Sequence, residues 1–95
     1  MKIQYSPEAI DDLARLKEFI EVKNPYAARR AASNILAGIE KLKTFPQIGI
    51  AVKRAPDPQI MRDLFVSNYT IRYLISKETI YILRIWHGKE AEKDL

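Results

Sequence analysis

The spacing of apolar positions changes once along the chain. Through Ile10, Leu13, Leu16 and Ile20, and again through Ala28, Ala31 or Ala32, Ile35, Ile39 and Leu42, apolar residues recur every three or four positions, which predicts two amphipathic helices. From residue 62 to residue 88 the chain reads RDLFVSNYTIRYLISKETIYILRIWHG. This is three runs rich in β-branched and aromatic residues, broken by turn-forming residues at Ser67-Asn68 and Ser76-Lys77-Glu78, and it predicts an antiparallel meander. The last run is apolar at nearly every position, as a strand covered on both faces is.

Helix boundaries are marked twice in the same way. Ser6-Pro7 and Asn24-Pro25 each read as an N-cap followed by proline at the first helical position, where its missing N–H costs nothing. Glu8, Asp11 and Asp12 add negative charge near the positive end of the first helix. The first helix is therefore expected to end near Val22 and the second to run from Pro25 to about Lys43, the two forming an antiparallel hairpin. Ahead of them Lys2 to Tyr5 alternates polar and apolar, as a short strand does. Phe45-Pro46, Gly49 and Pro56-Asp57-Pro58 mark a long irregular connection over residues 44–59. The order β-α-α-β-β-β over residues 1–95 is a single α+β domain, a helical hairpin packed on an antiparallel sheet.

Two-residue turns would set Val66 opposite Tyr69 and Ser76 opposite Thr79, and cross-strand partners share a face. One face then carries Leu64, Val66, Ile71, Tyr73, Ile75, Ile80, Ile82 and Trp86, the expected core, with Arg62 and Arg84 on the same side. A buried arginine there needs a partner, such as an acid of the first helix. The other face carries Met61, Asp63, Phe65, Thr70, Arg72, Leu74, Leu83, Ile85 and His87. That is more apolar area than a solitary small domain leaves in water, so it reads as a docking face.

Composition narrows the function. Hydrophobic residues are 47% and charged residues 29%, the balance of a globular domain, and no run reaches the roughly 20 apolar residues of a membrane span. Met1 to Tyr5 meets polar Ser6, Pro7 and Glu8 at once, with no signal-peptide core, so a cytoplasmic location is expected. The absence of cysteine and the single histidine argue against a thiol nucleophile, a zinc or haem site, or any cofactor. A net charge of +4 suits nucleic acid, an acidic protein, or solubility alone. Arg29, Arg30, Lys41, Lys43, Lys53 and Arg54 have no aromatic residues interleaved as stacking platforms, which disfavours direct sequence-specific nucleic-acid binding.

Four motifs then come together: Leu42-x-x-Phe45-Pro46-x-x-Gly49, Arg62-x-Leu64, Tyr69-x-Ile71-x-Tyr73 and Ile82-Leu83-x-Ile85-x-His87-Gly88. In their order, spacing and total length the chain resembles the RelE/ParE superfamily of type II toxin–antitoxin toxins. The resemblance covers nearly the whole chain and implies a small toxin neutralised by a cognate antitoxin that lays a helix and an extended segment across it. RelE-like members cleave messenger RNA on the ribosome, and ParE-like members are associated with poisoning DNA gyrase.

The positions where RelE-like members carry basic catalytic residues align here with Met61, Asp63, Thr70 and Glu90, none of them basic. Metal-free RNA cleavage needs a base, an acid and cations around the phosphorane. The resemblance therefore implies the ParE-like branch, with gyrase as target. A ribosome-dependent endoribonuclease and a non-toxic interaction module stand as the alternatives. ParE-like members often carry a basic run after the His-Gly pair; this chain has Lys89-Glu90-Ala91-Glu92-Lys93, with Lys89 the residue expected to meet the target.

Phe65, Arg72, Leu74 and Leu83 are the residues expected to bind antitoxin. Arg72 and His87 are the fallback catalytic candidates, because histidine suits proton transfer near neutral pH and arginine suits phosphate. Against these stand plainer roles: a strand-end hydrogen bond for His87, a pair with Asp63 for Arg72, and core or rim packing for Trp86.

Overall fold

The computed structural model describes residues 1–90; the acidic and basic residues that follow Glu90, 91–95, lie outside the described residues. Ser6 Oγ accepts the N–H of Ala9 at 3.0 Å and starts α1, Pro7–Lys23. Asn24 serves both helices. Its N–H closes α1 on the Ile20 carbonyl at 2.8 Å, while its Oδ1 accepts the N–H groups of Tyr26 and Ala27 at 3.0 and 3.2 Å to open α2, Pro25–Lys41. The predicted hairpin is thus present, with α2 two residues shorter than expected.

Five strands form the sheet: β1 (Lys2–Tyr5), β2 (Ile50–Ala51), β3 (Met61–Val66), β4 (Tyr69–Ser76) and β5 (Thr79–His87). Their order is β1-β5-β4-β3-β2. The sheet is mixed where the sequence predicts an antiparallel one, because β1 lies parallel to β5, Ile3 beside Ile80 and Tyr5 beside Ile82. Both hairpin turns hold two residues, Val66 facing Tyr69 and Ser76 facing Thr79 as expected.

The unpredicted strand β2 sits inside the connection that reads as irregular. Three tethers draw that loop to the sheet: Arg62 Nη1 donates to the Gly49 carbonyl at 2.9 Å, the Tyr73 hydroxyl donates to the Pro46 carbonyl at 2.7 Å, and Gly49 N–H donates to the same hydroxyl at 2.9 Å. A Cβ on Gly49 would stand 2.7 Å from the Tyr73 hydroxyl oxygen and 2.8 Å from the Asp63 carbonyl, so only glycine allows the approach. The Phe45-Pro46-x-x-Gly49 motif is in this sense a loop anchor.

Ile35, Ile39 and Leu42 at and beyond α2 meet Ile71, Tyr73, Ile80, Ile82 and Ile85 of the sheet, with Ala9 and Leu16 from α1, and together they form the core. Ile10, expected on the inner stripe, is 55% exposed. The buried face of α1 is Ala9, Asp12 and Leu16, flanked by half-buried Leu13 and Ile20. With Asp12 turned inward, Ile10 two residues earlier lies on the far side of the helix.

A β-bulge corrects the predicted faces. Tyr73 faces Ile82 but Arg72 faces Arg84, which leaves Leu83 as an extra residue in β5. An extra residue shifts a two-residue alternation by one. Beyond it Ile85 pairs with Ile71 and is wholly buried in the core, His87 pairs with Tyr69, and Trp86 pairs with Thr70. Trp86 therefore leaves the predicted core face, and Ile85 and His87 leave the predicted open face.

Candidate functional site

The register brings Ile50, Asp63, Phe65, Thr70, Arg72 and Leu74 to the face turned away from the helices, and Trp86 joins them through the bulge. At its centre Arg72 and Asp63 form a two-pronged pair, Nε to Oδ1 at 2.8 Å and Nη2 to Oδ2 at 3.0 Å. The Arg72 guanidinium carbon lies 5.2 Å from the Trp86 ring centroid, and each residue is only 6% exposed. Arg72 is thus neutralised and covered on a face that, among the described residues, no helix covers. Around it Ile50 is 63% and Phe65 58% exposed, with Tyr81 at 36% on β5 and half-buried Leu74 and Leu83 nearby. This is the apolar surface the sequence predicts, with Phe65 and Ile50 exposed around the paired charges.

Met61, Asp63 and Thr70 do lie on this face, and the acid among them is committed to Arg72. His87 does not share the face with Arg72. It stacks edge-on against Tyr69 with centroids 5.2 Å apart and planes at 89°, and its Nδ1 accepts the Lys89 N–H at 3.0 Å, which leaves the neutral ring's proton on Nε2. The bulge therefore separates the two fallback catalytic residues onto opposite faces.

His87 instead lines a cleft of about 500 Å³ between α1 and the end of β5, whose walls include Phe19, Lys23, Tyr69, Lys89 and Glu90. Beside the cleft runs an edge of β5 that β1 is too short to pair. Past Tyr5, the outer main-chain groups of β5 are met by side chains: Ser6 Oγ donates to the Leu83 carbonyl at 2.8 Å, Asp12 Oδ2 accepts the Ile85 N–H at 2.8 Å, Arg15 donates to the Ile85 carbonyl at 3.4 Å, and Glu90 Oε1 accepts the His87 N–H at 2.9 Å. Asp12 also takes the Arg84 guanidinium at 2.9 and 3.0 Å, which is the helix acid expected for that arginine. Arg15 closes the set on Glu90 at 2.5 Å.

Electrostatics follow this wiring. Burial works to raise the Asp12 carboxyl, but its bonds from Arg84, Ile85 and Arg15 outweigh burial and hold it below the usual carboxylate range. Burial likewise opposes the Arg15 charge and is outweighed by Glu90 and Asp12, so its guanidinium is held above its ordinary value. Burial, assisted by Glu90, pushes the Tyr69 phenol up. The roles of Arg15 and Glu90 escape a reading by pattern, whereas Asp12 is the helix acid expected beside Arg84 and stands three residues from Ala9 and four from Leu16, inside an apolar stripe. Among the described residues no group of three or more His, Cys, Asp or Glu is placed to hold a metal, and no helix is long and apolar enough to cross a membrane.

A helical hairpin on one face of a five-stranded mixed sheet, with an apolar face left open, is the architecture of a type II toxin–antitoxin toxin. The model of the ParE toxin of type II toxin–antitoxin systems, parDE, matches residues 3–92, and the chain belongs to this family. It is 30% identical to Toxin RelE3 of Caulobacter vibrioides over 93% of this chain and 95% of that protein, and 26% identical to Toxin RelE2 of the same organism over 92% and 94%. Its fold is similar to that of a chain from the chromosomal ParDE TA system of P. aeruginosa, with a TM-score of 0.76, 21% identity, and coverage of 92% of this chain and 95% of that one. The names of these relatives divide between RelE and ParE, so the choice of target rests on the site.

Proposed function

We propose that this toxin is held inactive by a cognate antitoxin seated on the open sheet face, and that its target in the cytoplasm is DNA gyrase. The observation that carries the target is the Asp63–Arg72 pair. Cleavage of RNA develops negative charge on a phosphorane and needs unpaired cations aimed at it. Here the central arginine is clamped by a carboxylate, Met61 and Thr70 supply no charge, and Glu90 is bonded to Arg15. Such a face offers phosphate no uncommitted cation at its centre, and its exposed Ile50 and Phe65 suit a protein. Lys89, exposed after the last strand, is the residue we assign to target contact. A replicon that carries the pair is stabilised because losing the antitoxin frees the toxin.

Induction of the chain without the antitoxin tests this reading, scored by growth, DNA damage response and messenger RNA integrity. Growth arrest with a DNA damage response and intact messages is expected. Rapid codon-biased cleavage would transfer the assignment to the ribosome, and unchanged growth would make the chain an interaction module.

A further inference from the structure

The cleft between α1 and the turn after β5 is not part of the open face, and its construction is specific. Four hydrogen bonds close the turn: Gly88 N–H to the Asn68 carbonyl at 2.7 Å, Lys89 N–H to His87 Nδ1 at 3.0 Å, Glu90 N–H to the His87 carbonyl at 2.9 Å, and His87 N–H to Glu90 Oε1 at 2.9 Å. The Arg15–Glu90 pair then clasps the turn to α1. This fixes Lys89 in the lining of the cleft, which Phe19 and Lys23 share. Phe19 is 64% exposed, and the Lys23 ammonium sits 4.9 Å from its ring centroid, so an apolar wall and a cation are presented together.

Among the described residues lining the cleft, Arg15, Lys23 and Lys89 are basic and Glu90 is the acid. Arg15 and Glu90 cancel within the clasp, which leaves Lys23 and Lys89 as the charge offered to a partner. We infer that this cleft is the toxin's target-binding surface and that it takes an acidic segment of the target protein with an apolar side chain seated beside Phe19. Charge complementarity argues for the acid, and the exposed ring argues for the apolar anchor. A nucleic acid fits less well, because Tyr69 and His87 meet at 89° and do not form a pair of parallel rings on which successive bases could stack. The inference rests on the assignment of Lys89 to target contact and extends it to a built site.

Arg15 and Glu90 act in this scheme as positioning residues. Phe19→Glu and Lys23→Glu are the direct tests, since both side chains are exposed and neither is in the core. Each is expected to weaken binding to purified DNA gyrase by about tenfold or more and to relieve growth arrest in proportion, while antitoxin affinity stays within about twofold and the circular dichroism is unchanged. Glu90→Ala is expected to act in the same direction, with faster amide exchange at His87. If antitoxin affinity falls and growth arrest persists, the cleft belongs to the antitoxin and the inference is overturned. If Lys89→Ala relieves arrest but Phe19→Glu and Lys23→Glu do not, the target assignment stands and the cleft alone is wrong. If none of the three relieves arrest, the cleft and the assignment of Lys89 to target contact fall while the target itself is judged on the unaltered chain. If the unaltered chain neither binds gyrase nor arrests growth, the cleft and the target fall together. Tight binding of a single-stranded oligonucleotide that Phe19→Glu removes would replace the protein partner with nucleic acid.

Discussion

Asp63 and Arg72 face each other across β3 and β4 with both carboxylate oxygens on one guanidinium, at 2.8 and 3.0 Å. Their side chains are only 17% and 8% exposed. Removing one member of a buried pair strands the other charge, so Asp63→Ala is expected to cost about 3 kcal/mol in urea unfolding. Replacing both by apolar residues of similar volume should cost much less. Equal losses in the single and double variants would show that the pair contributes packing and not charge.

Asp12 makes stability depend on acid. Its folded pKa lies below its ordinary value near 3.8, so the stability it contributes is full above that value and is lost as pH falls through the lower, folded one. Asp12→Asn is expected to be weaker at pH 7 by about 2 kcal/mol, reflecting the lost charge-assisted bonds. It should also show a flatter decline below pH 4 than the unaltered chain. Parallel acid profiles for the two would contradict the assigned role.

Gly49→Ala probes the loop anchor. The new methyl group would meet the Tyr73 hydroxyl and the Asp63 carbonyl at under 3 Å and push the loop off β3. A loss of about 1–3 kcal/mol in thermal or urea unfolding is expected, as for other overpacked sites. An unchanged midpoint would mean that the loop accommodates the methyl group freely.

Much of the fold is legible because local signals agree. Ser6-Pro7 and Asn24-Pro25 mark helix starts that the structure caps at those residues, and the two-residue turns fix the strand pairing on either side. The parallel placement of β1 is not legible, since nothing within Lys2 to Tyr5 says which strand it joins. The bulge at Leu83 is hidden for another reason. A run apolar at nearly every position has no alternation to break, so the inversion of Ile85, Trp86 and His87 leaves no mark in the sequence. Of the site, Phe65, Arg72 and Leu74 fall on the open face as read, whereas the Asp12, Arg15 and Glu90 wiring spans more than 70 residues and has no local signature.

Phe65 is the most exposed of the residues assigned to the antitoxin, at 58%. Phe65→Asp is expected to raise the dissociation constant of the antitoxin complex by at least about tenfold, measured by calorimetry with the product of the adjacent open reading frame. The domain should stay folded, since the ring lies outside the core. Full affinity in this variant and in Leu74→Asp would place the antitoxin on another surface.

The most direct test of the central claim, a toxin that does not cut RNA, is to add the purified chain to ribosomes translating a defined message and map its ends by primer extension. Losing one preorganised donor of charge at such a site costs about 2.7–4 kcal/mol of transition-state stabilisation. Here the central arginine is clamped and the aligned positions Met61, Asp63, Thr70 and Glu90 are all without positive charge. The message is expected to remain full length. Cleavage that Arg72→Ala or His87→Ala abolishes, with the domain still folded, would contradict the account.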